Sequence, residues 1–370
     1  MEHPGRRRIM HLIDPAPYGG AEAVVSALAR GAAGQGDEIC VVAFRQAGDG
    51  KFLRRFDGDG IETVELRSPR RRYWREVREL AALIRAWHPD ILHTHVYHAD
   101  AVGYLAARSA GVPIVSTVHG FTAGSLKNRF YQWLDVQVLK RMDGIACVSQ
   151  VLVDRLRAEG IAPARVHLVP NAHDGSVALN RSEARKILDV SQAAPLVGWI
   201  GRLSYEKGPD RFVRVLASLR PNIEGIIIGD GPERAALEKQ VATQSAPITL
   251  VGAYPDAGRL VTAFDVLAIT SRTEGLPMTV LHAMAAGVPV VATAVGALPE
   301  ALGDSSGWLV DPNNESAFSS ALSEAVQDRA LARQRADQAR LRLRRLYSLD
   351  AWIERMNRVY DQSRRPHSAA

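Results

Sequence analysis

Short apolar runs alternate along the chain with longer stretches in which apolar residues recur every three or four positions. A short apolar run bounded by Gly, Pro or polar residues is typical of a buried strand, and a period near 3.6 is typical of an amphipathic helix. In the first half the pattern predicts strands at residues 9–13, 38–44, 61–66, 91–94, 113–118, 144–148 and 166–169, and helices at 21–33, 73–87, 99–110, 127–140 and 151–159.

A polar segment without an apolar period, residues 171–181, then predicts a linker. The alternation restarts after it, and the chain ends in helices only. The second half predicts strands at residues 196–200, 225–228, 248–251, 265–270, 288–292 and 307–310, and helices at 209–219, 233–243, 277–286 and 315–326.

Strand–helix alternation of this kind predicts doubly wound parallel sheets of the Rossmann-like α/β class. A chain of 370 residues is also too long for one ordinary core. We therefore predict an N-terminal domain at residues 1–175, a C-terminal domain at 176–345, and a helix within 346–370 that packs back towards the first domain.

The net charge of +6 is a mild excess, and no nucleic-acid-binding motif accompanies it. Solvated faces explain each basic cluster, although together they also suit a protein resting on an anionic membrane. The clusters lie at residues 6–8, 70–78, 140–141 and 340–345.

Cys40 and Cys147 each lie inside an apolar, strand-like run. Buried thiols in a reducing cytosol explain them better than a disulfide or a metal site. No apolar run has the length of a signal peptide core or of a membrane span. We expect a cytoplasmic protein whose membrane contact, if any, is peripheral.

Residues 265–287 combine a strand, a polar loop and a helix. Pro277 suits the first turn of that helix, and Gly287 ends it. Glu274 therefore lies where a strand ends and a helix begins. Ligands of open α/β sheets bind at this edge, and a helix N-terminus presents free N–H groups to an anion.

This stretch resembles the donor-sugar motif of the family 4 retaining glycosyltransferases, in which Glu-Gly-x-Pro is followed by Glu-Ala-x-Ala-x-Gly. Glu274 takes the position of the first glutamate, but the second falls on His282. By the resemblance, Gly275, Leu276 and Pro277 contact the donor. The family has the GT-B fold, in which two Rossmann-like domains face each other across the active-site cleft.

A second motif, Gly-Arg-Leu-x-x-x-Lys-Gly, spans residues 201–208. The bidentate fork of Arg202 and the point charge of Lys207 together suit a diphosphate, and the family uses both cations in this way. An ion pair with Glu206 is the alternative for these charges. The resemblance also assigns donor contacts to Gly19, Gly20, Val251 and Gly252.

His119 follows a strand and precedes a glycine, and the family places a donor-sugar contact there. The resemblance makes His119 and Glu274 the candidate catalytic residues. His95 and His98 are candidates for the acceptor side. Together with His93 they also allow a metal site, but only His93 and His95 share a strand face, and no third ligand lies at a fixed spacing. Asp57-Gly58-Asp59 resembles the Asp-x-Asp metal site of another glycosyltransferase architecture, but an Asp-Gly turn explains it better, so we expect no catalytic metal.

The resemblance implies a metal-independent, retaining glycosyltransferase that uses a UDP- or GDP-linked sugar and no cofactor. It is expected to act in bacterial cell-surface polysaccharide or glycolipid assembly, with an acceptor such as a polyprenyl-linked sugar, at the inner face of the cytoplasmic membrane. Because His282 replaces a glutamate, two alternatives stay open: a non-catalytic scaffold that binds sugar nucleotides, and a GT-B epimerase. We expect an active enzyme whose donor site keeps a ribose contact through His282, as a weaker and pH-sensitive hydrogen bond.

Overall fold

The computed structural model describes residues 6–16, 20–45, 52–69, 71–121, 126–219 and 223–364. These residues form two compact units, each built around its own sheet. The N-terminal unit comprises residues up to 170 together with 349–364, and the C-terminal unit comprises residues 171–348.

A parallel seven-stranded sheet is the centre of the N-terminal unit, with the strand order β3-β2-β1-β4-β5-β6-β7. The strands are β1 (Arg8–Ile13), β2 (Glu38–Ala43), β3 (Glu62–Glu65), β4 (Ile91–His95), β5 (Ile114–Val118), β6 (Gly144–Cys147) and β7 (Val166–Leu168). The helices are α1 (Gly20–Gly34), α2 (Tyr73–Trp87), α3 (Tyr97–Ala110), α4 (Leu126–Leu139) and α5 (Gln150–Ala158).

The C-terminal unit contains a parallel six-stranded sheet with the order β10-β9-β8-β11-β12-β13. Its strands are β8 (Leu196–Ile200), β9 (Glu224–Ile228), β10 (Ile248–Gly252), β11 (Val266–Ile269), β12 (Val290–Thr293) and β13 (Trp308–Val310). The helices are α6 (Arg181–Ile187), α7 (Pro209–Ala217), α8 (Arg234–Gln244), α9 (Met278–Ala286), α10 (Leu298–Leu302), α11 (Glu315–Gln327) and α12 (Arg329–Leu346).

The two Rossmann-like parallel sheets predicted from the apolar pattern are confirmed. In each sheet the strand order reverses beside the first strand of the unit, between β1 and β4 and between β8 and β11. A doubly wound sheet binds ligands outside the carboxyl ends of the strands at such a reversal. We therefore expect ligands to bind at the loops that follow β1, β4, β8 and β11.

The last helix, α13 (Leu349–Ser363), packs on the N-terminal sheet. Its Tyr360 hydroxyl lies 2.8 Å from His93 Nδ1, and Arg364 donates to Asp90 at 2.9 Å. These bonds join residues more than 250 positions apart, so the end of the chain completes the first unit. Among the described residues, no helix combines the length and apolar character needed to cross a membrane.

A helix that the apolar pattern did not predict, α6, begins at Arg181, the last residue of the predicted linker. Arg185 on this helix is fully buried. It donates to Asp265 at 2.9 Å and to the backbone carbonyls of Ala263 and Ala194. The apolar period fails here because a charged side chain, satisfied by a carboxylate and carbonyls, takes an inward position of the helix.

Both cysteines are free thiols buried in the N-terminal sheet, as expected. Burial raises the pKa of each thiol to about 12. They are therefore uncharged at neutral pH, and their place is in the core.

Asp135 on α4 is a half-buried acid that should make stability depend on pH. Burial, reinforced by the nearby Asp100 carboxylate, raises the pKa of Asp135 to about 8. Between its unfolded pKa and this value the folded chain holds a proton that the unfolded chain has lost, so stability falls as pH rises across this range. We expect Asp135→Asn to reduce this loss between pH 5 and 8.5 by about 2–4 kcal/mol.

Urea unfolding at both pH values measures this effect. Asp154→Asn is the matched control, because Asp154 lies on an exposed face of α5. An equal pH dependence of the parent and Asp135→Asn would show that Asp135 ionises normally in the folded protein.

Candidate functional site

Two loops meet at the carboxyl edge of the C-terminal sheet, one after β8 and one after β11. Gly208 has a φ of +64°, and a Cβ at this position would overlap the Thr270 carbonyl oxygen. Thr270 Oγ1 in turn donates to the Gly208 carbonyl at 2.7 Å. A glycine is needed because only glycine adopts this backbone conformation without strain at so close an approach. The loops of residues 201–208 and 270–277 therefore lie side by side.

This contact brings Lys207 and Glu274 together. Lys207 Nζ lies 2.6 Å from Glu274 Oε2, and Ser271 Oγ donates to Glu274 Oε1 at 2.7 Å. The Glu274 side chain is 5% exposed and that of Lys207 is 32% exposed. The sequence motifs name these residues separately, and the structure makes them one ion pair. Glu206, the alternative partner of the basic residues, instead accepts from Ser204 Oγ at 2.7 Å.

Arg202 precedes Lys207 on the same loop and is exposed. Its guanidinium makes no ion pair with any of the described residues. Arg272 braces the neighbouring loop, since it pairs with Asp210 at 2.7 Å and lies 4.0 Å above the Tyr205 ring. The site therefore presents one exposed cation on a braced loop, beside a second cation that is paired with a carboxylate.

The residues after Glu274 are fixed through their backbone. The Gly275 carbonyl accepts from Ala297 N–H at 2.9 Å, and the Leu276 carbonyl accepts from Asn171 Nδ2 at 2.9 Å. Pro277 is the N-cap of α9 in extended geometry, one position before the first turn in which we predicted it. The first N–H groups of α9 thus follow directly on the Glu274 loop, as an anion site requires.

Val251 and Gly252 end β10, at the far edge of the same sheet. The Gly252 carbonyl accepts from Gly229 N–H at 2.8 Å, so the ends of β9 and β10 are joined. Both residues are partly buried.

His282 lies on α9 in a different environment from Glu274. Its Nε2 is 3.5 Å from Asp174 Oδ1, and its ring centroid is 5.4 Å from that of His173. The structure therefore groups His282 with two residues of the segment that leads into α6. Neither had a predicted role.

In the N-terminal unit, three histidine rings form a row that we call the imidazole column: His11, His95 and His119. His11 Nδ1 lies 3.2 Å from His95 Nε2, and His95 Nδ1 lies 3.3 Å from His119 Nε2. Burial lowers the pKa of all three rings, that of His119 to about 4. The column is therefore uncharged at neutral pH.

His93 flanks the column, between the Tyr360 hydroxyl and Thr117 Oγ1, each at 2.8 Å. His98 lies apart from it, 3.0 Å from Asp14 and 3.1 Å from Glu76. His95 and His98, the acceptor-side candidates, are fully or almost fully buried, and both ring nitrogens of each face a partner.

Gly19, assigned to the donor, lies outside the described residues. Gly20 is the exposed first residue of α1, and a Cβ there would meet no atom within 4 Å. The next acid, Glu22, is buried and accepts from the Ala16 N–H. Glu22 thus ties the loop after β1 to the start of α1.

Two family models together cover most of the chain. Residues 18–176 match Glycosyltransferase Family 4, and residues 180–342 match Glycosyl transferases group 1. The D-inositol 3-phosphate glycosyltransferase of Xylanimonas cellulosilytica is 30% identical over 308 residues, which are 75% of this chain and 73% of that protein. The chain belongs to the family 4 glycosyltransferases. It is an enzyme of glycosyl transfer, as the motifs predicted.

One further curated relative and two solved structures are also similar to this chain. The UDP-Gal:alpha-D-GlcNAc-diphosphoundecaprenol alpha-1,3-galactosyltransferase of Escherichia coli is 28% identical over 264 residues, 65% of this chain and 67% of that protein. The crystal structure of Anabaena HepE in complex with UDP-glucose has a TM-score of 0.84 at 20% identity and covers 96% of this chain and 100% of that one. Sucrose-phosphate synthase of Thermosynechococcus elongatus has a TM-score of 0.82 at 22% identity, with coverages of 96% and 99%. The predicted GT-B fold of this family 4 glycosyltransferase is confirmed.

Three residues beside the motifs had no predicted role in the site: Ser271, His173 and Asp174. Ser271 stands three positions before Glu274, a spacing that suits a side-chain hydrogen bond across a turn, and this signal was available. His173 and Asp174 are more than 100 positions from His282, so only the folded chain reveals that they meet.

Proposed function

We propose that the enzyme transfers a sugar from a nucleotide-diphosphate sugar to an acceptor hydroxyl with retention of the anomeric configuration. The observation that carries this proposal is the Lys207–Glu274 pair beside the exposed Arg202, at the carboxyl edge of one sheet. Two cations suit a diphosphate, and a carboxylate that accepts hydrogen bonds suits sugar hydroxyls.

The proposed chemistry stabilises a departing diphosphate and a sugar with oxocarbenium character. The bond from the anomeric carbon to the phosphate oxygen breaks, and a bond from that carbon to the acceptor oxygen forms on the same face. The acceptor proton passes to the leaving phosphate. Arg202, Lys207 and the N-terminus of α9 neutralise the diphosphate, so this step needs no divalent cation and no cofactor. His119 is the second proposed contact to the donor sugar.

A screen of sugar-nucleotide donors tests this function directly. The chain is incubated with UDP- and GDP-sugars, each with and without a polyprenyl-diphosphate-linked sugar as acceptor. We expect release of UDP or GDP that depends on the acceptor, and a product whose anomeric proton coupling in NMR matches that of the donor. Mg²⁺ or Mn²⁺ added after chelation should give no gain in rate.

Each other outcome has a distinct meaning. Inversion at the anomeric carbon, or a rate that requires Mg²⁺, contradicts the mechanism. Donor binding without turnover would favour the scaffold alternative, and interconversion of the donor without acceptor would favour an epimerase.

We further propose that the enzyme assembles a cell-surface polysaccharide or glycolipid at the cytoplasmic face of the membrane, on a polyprenyl-linked acceptor. The name of the E. coli relative includes such a carrier. An exposed aromatic patch on the N-terminal unit supports membrane docking. It consists of Tyr73, Trp74, Tyr97, Phe130, Tyr131 and Trp133.

Four rings of the patch form a continuous row that lies in the same unit as a basic segment. The Tyr97 and Tyr131 ring centroids are 5.7 Å apart, and the Phe130 centroid is 6.1 Å from those of Tyr131 and Trp133. Exposed arginines surround the start of α2 at positions 71, 72, 75 and 78. In the same unit, the Arg155 guanidinium lies 3.9 Å above the centroid of the Phe121 ring. Aromatic side chains next to arginines match the interface of an anionic bilayer.

We expect the chain to sediment with anionic vesicles at low salt, and high salt to weaken the binding. Arg75→Ser with Arg78→Ser should reduce the affinity about tenfold or more, since each cation near the surface contributes about 1 kcal/mol. Phe130→Ser with Trp133→Ser should reduce it at every salt concentration. Leu341→Ser, which removes an exposed apolar side chain of the C-terminal unit, is the control. If no more protein sediments with anionic vesicles than with neutral vesicles, the result would argue for a soluble acceptor.

A further inference from the structure

His173, Asp174 and His282 converge in the C-terminal unit from two distant segments of the chain. One ligand atom from each side chain can be chosen so that all three lie within 4.8 Å of one another. We propose that these three residues bind a divalent transition-metal ion, with Zn²⁺ the best match. Two imidazoles and one carboxylate are ligands that Zn²⁺ accepts, whereas Mg²⁺ and Ca²⁺ prefer oxygen ligands throughout.

The distances suit a metal better than they suit direct hydrogen bonds. Asp174 Oδ1 lies 3.5 Å from His282 Nε2 and 4.0 Å from His173 Nε2. Ligands at roughly 2.0–2.2 Å from a tetrahedral zinc are about 3.4 Å apart. The first pair already has this separation. The second needs a small rotation of His173, whose side chain is 17% exposed.

The ring of His282 is fixed in position but has no hydrogen-bond partner among the described residues. Its side chain is 11% exposed, and neither ring nitrogen makes a hydrogen bond within the described residues. A buried imidazole without partners is unusual and calls for an explanation, which a metal on Nε2 supplies. A Cβ on Gly258 would overlap His282 Nδ1, so the glycine makes room for the ring and fixes its position.

The Asp174 carboxylate is held in place by the backbone. The Ser176 N–H donates to Asp174 Oδ1 at 2.9 Å and orients the carboxylate towards the two imidazoles.

The backbone around the three residues is anchored on both sides. His173 N–H donates to the Tyr347 carbonyl at 3.1 Å, and Leu179 N–H donates to the Arg259 carbonyl at 3.0 Å. Arg259 Nε returns a bond to the Val177 carbonyl at 3.0 Å. Most of the geometry of the site is thus present before any ion binds.

One existing bond must break for the ion to bind. His173 Nδ1 accepts from Gly175 N–H at 3.2 Å, whereas ligation through Nε2 requires a proton on Nδ1. Metal-binding histidines usually donate from the second nitrogen to a fixed partner. We therefore expect weaker binding than at a fully braced structural zinc site.

Three protein ligands leave one coordination position for a small oxygen ligand. A cavity of about 270 Å³ adjoins the site and is lined by His173, His282 and Ser176, among others. A bound ion could thus take a water, a hydroxyl or a phosphate oxygen from that side.

A zinc titration of the full chain, stripped of metal and free of nucleotide, tests this site. We expect calorimetry to show one Zn²⁺ per chain, at least tenfold weaker binding in His173→Ala and His282→Ala, and no response to Mg²⁺. Asp174→Asn should also lose the ion. Because asparagine has nearly the same size as aspartate, we expect this variant to fold, so its loss of binding would not result from unfolding. His167→Ala changes a histidine in the N-terminal unit and should bind Zn²⁺ like the parent.

Absence of Zn²⁺ binding in the parent would overturn the proposal. An unchanged Zn²⁺ affinity in a folded His282→Ala or Asp174→Asn variant would also overturn it. The ion would then bind at another site, for instance at the buried group of His11, His93 and His95. Because no nucleotide is present, either result leaves the proposed glycosyl transfer standing.

Discussion

Lys207→Ala is expected to weaken the binding of UDP or GDP about tenfold to 100-fold and also to destabilise the fold, whereas Arg202→Ala should weaken binding alone. A charge-assisted hydrogen bond to a phosphate contributes roughly 1.5–3 kcal/mol, which corresponds to this range of affinity. Arg202 is exposed, so its removal leaves no buried group unpaired.

The destabilisation arises from Glu274. With Lys207 absent, the carboxylate keeps its bond from Ser271 but loses the cation 2.6 Å away, and the Glu274 side chain is only 5% exposed. Removal of one partner of a buried ion pair leaves a charge without compensation. Because Lys207 is itself one-third exposed, water reaches the pair, and we expect a loss of about 1–3 kcal/mol.

Combining Lys207→Ala with Glu274→Gln separates the two effects. The neutral amide no longer requires a cation, so the double variant should recover part of the lost stability while nucleotide binding stays weak. Glu274→Gln alone should abolish most turnover but preserve UDP affinity or increase it, because Lys207 is then free for the phosphates. Calorimetry and urea unfolding measure both quantities. If both Arg202→Ala and Lys207→Ala bind the nucleotide as tightly as the parent, the diphosphate does not bind at this loop.

The sequence predicted the strands well because nearly all of them are buried parallel strands. Such a strand is a compact apolar run whose ends are marked by glycine, proline or polar residues, as at residues 196–200 and 225–228. Helix α6 was missed because the signal depends on apolar inward positions, and Arg185 occupies one of them. A buried arginine with satisfied hydrogen bonds cannot be told from an exposed one by its position in the chain.

In the candidate site, individual residues could likewise be predicted from the sequence, but their contacts could not. Arg202, Lys207 and Glu274 were found because each stands at a strand end within a local motif. The pairing of Lys207 with Glu274 could not be predicted from the sequence, because it depends on β8 and β11 being neighbours and on the close approach of Gly208 to Thr270. The same limit applies to the imidazole column, whose rings come from β1, from β4 and from the loop after β5.

The second large effect is expected at that column: His119→Ala should lower kcat about 10²–10³-fold, as loss of a transition-state hydrogen bond does. Because burial holds the pKa of His119 at about 4, the ring is neutral from about pH 5 upwards. His119 should therefore contribute no change in rate between pH 5.5 and 8, and we expect it to act through hydrogen bonding rather than charge.

The column should also decide which nitrogen of His119 carries the proton. Neutral rings in a row donate in one direction, because each has one N–H and one lone pair. At the far end, His11 Nε2 is buried with no hydrogen-bond partner among the described residues. An orphaned N–H is rarer in proteins than an orphaned acceptor, which favours a lone pair at that end. Each ring then donates towards His119, and His119 itself presents an Nδ1–H donor.

His95→Phe tests this arrangement, since it keeps a ring in the core but removes the donor 3.3 Å from His119 Nε2. We expect kcat to fall about tenfold, the low end of what one positioned hydrogen bond contributes, with donor KM little changed. Nitrogen-15 NMR should find the proton of His119 on Nδ1 in the parent and a mixture of tautomers in the variant. A purely structural His95 would lower stability without moving that tautomer ratio. A proton on Nε2 of His119 in the parent would reverse the direction of the column, and His119 would then offer the donor sugar an acceptor instead of a hydrogen.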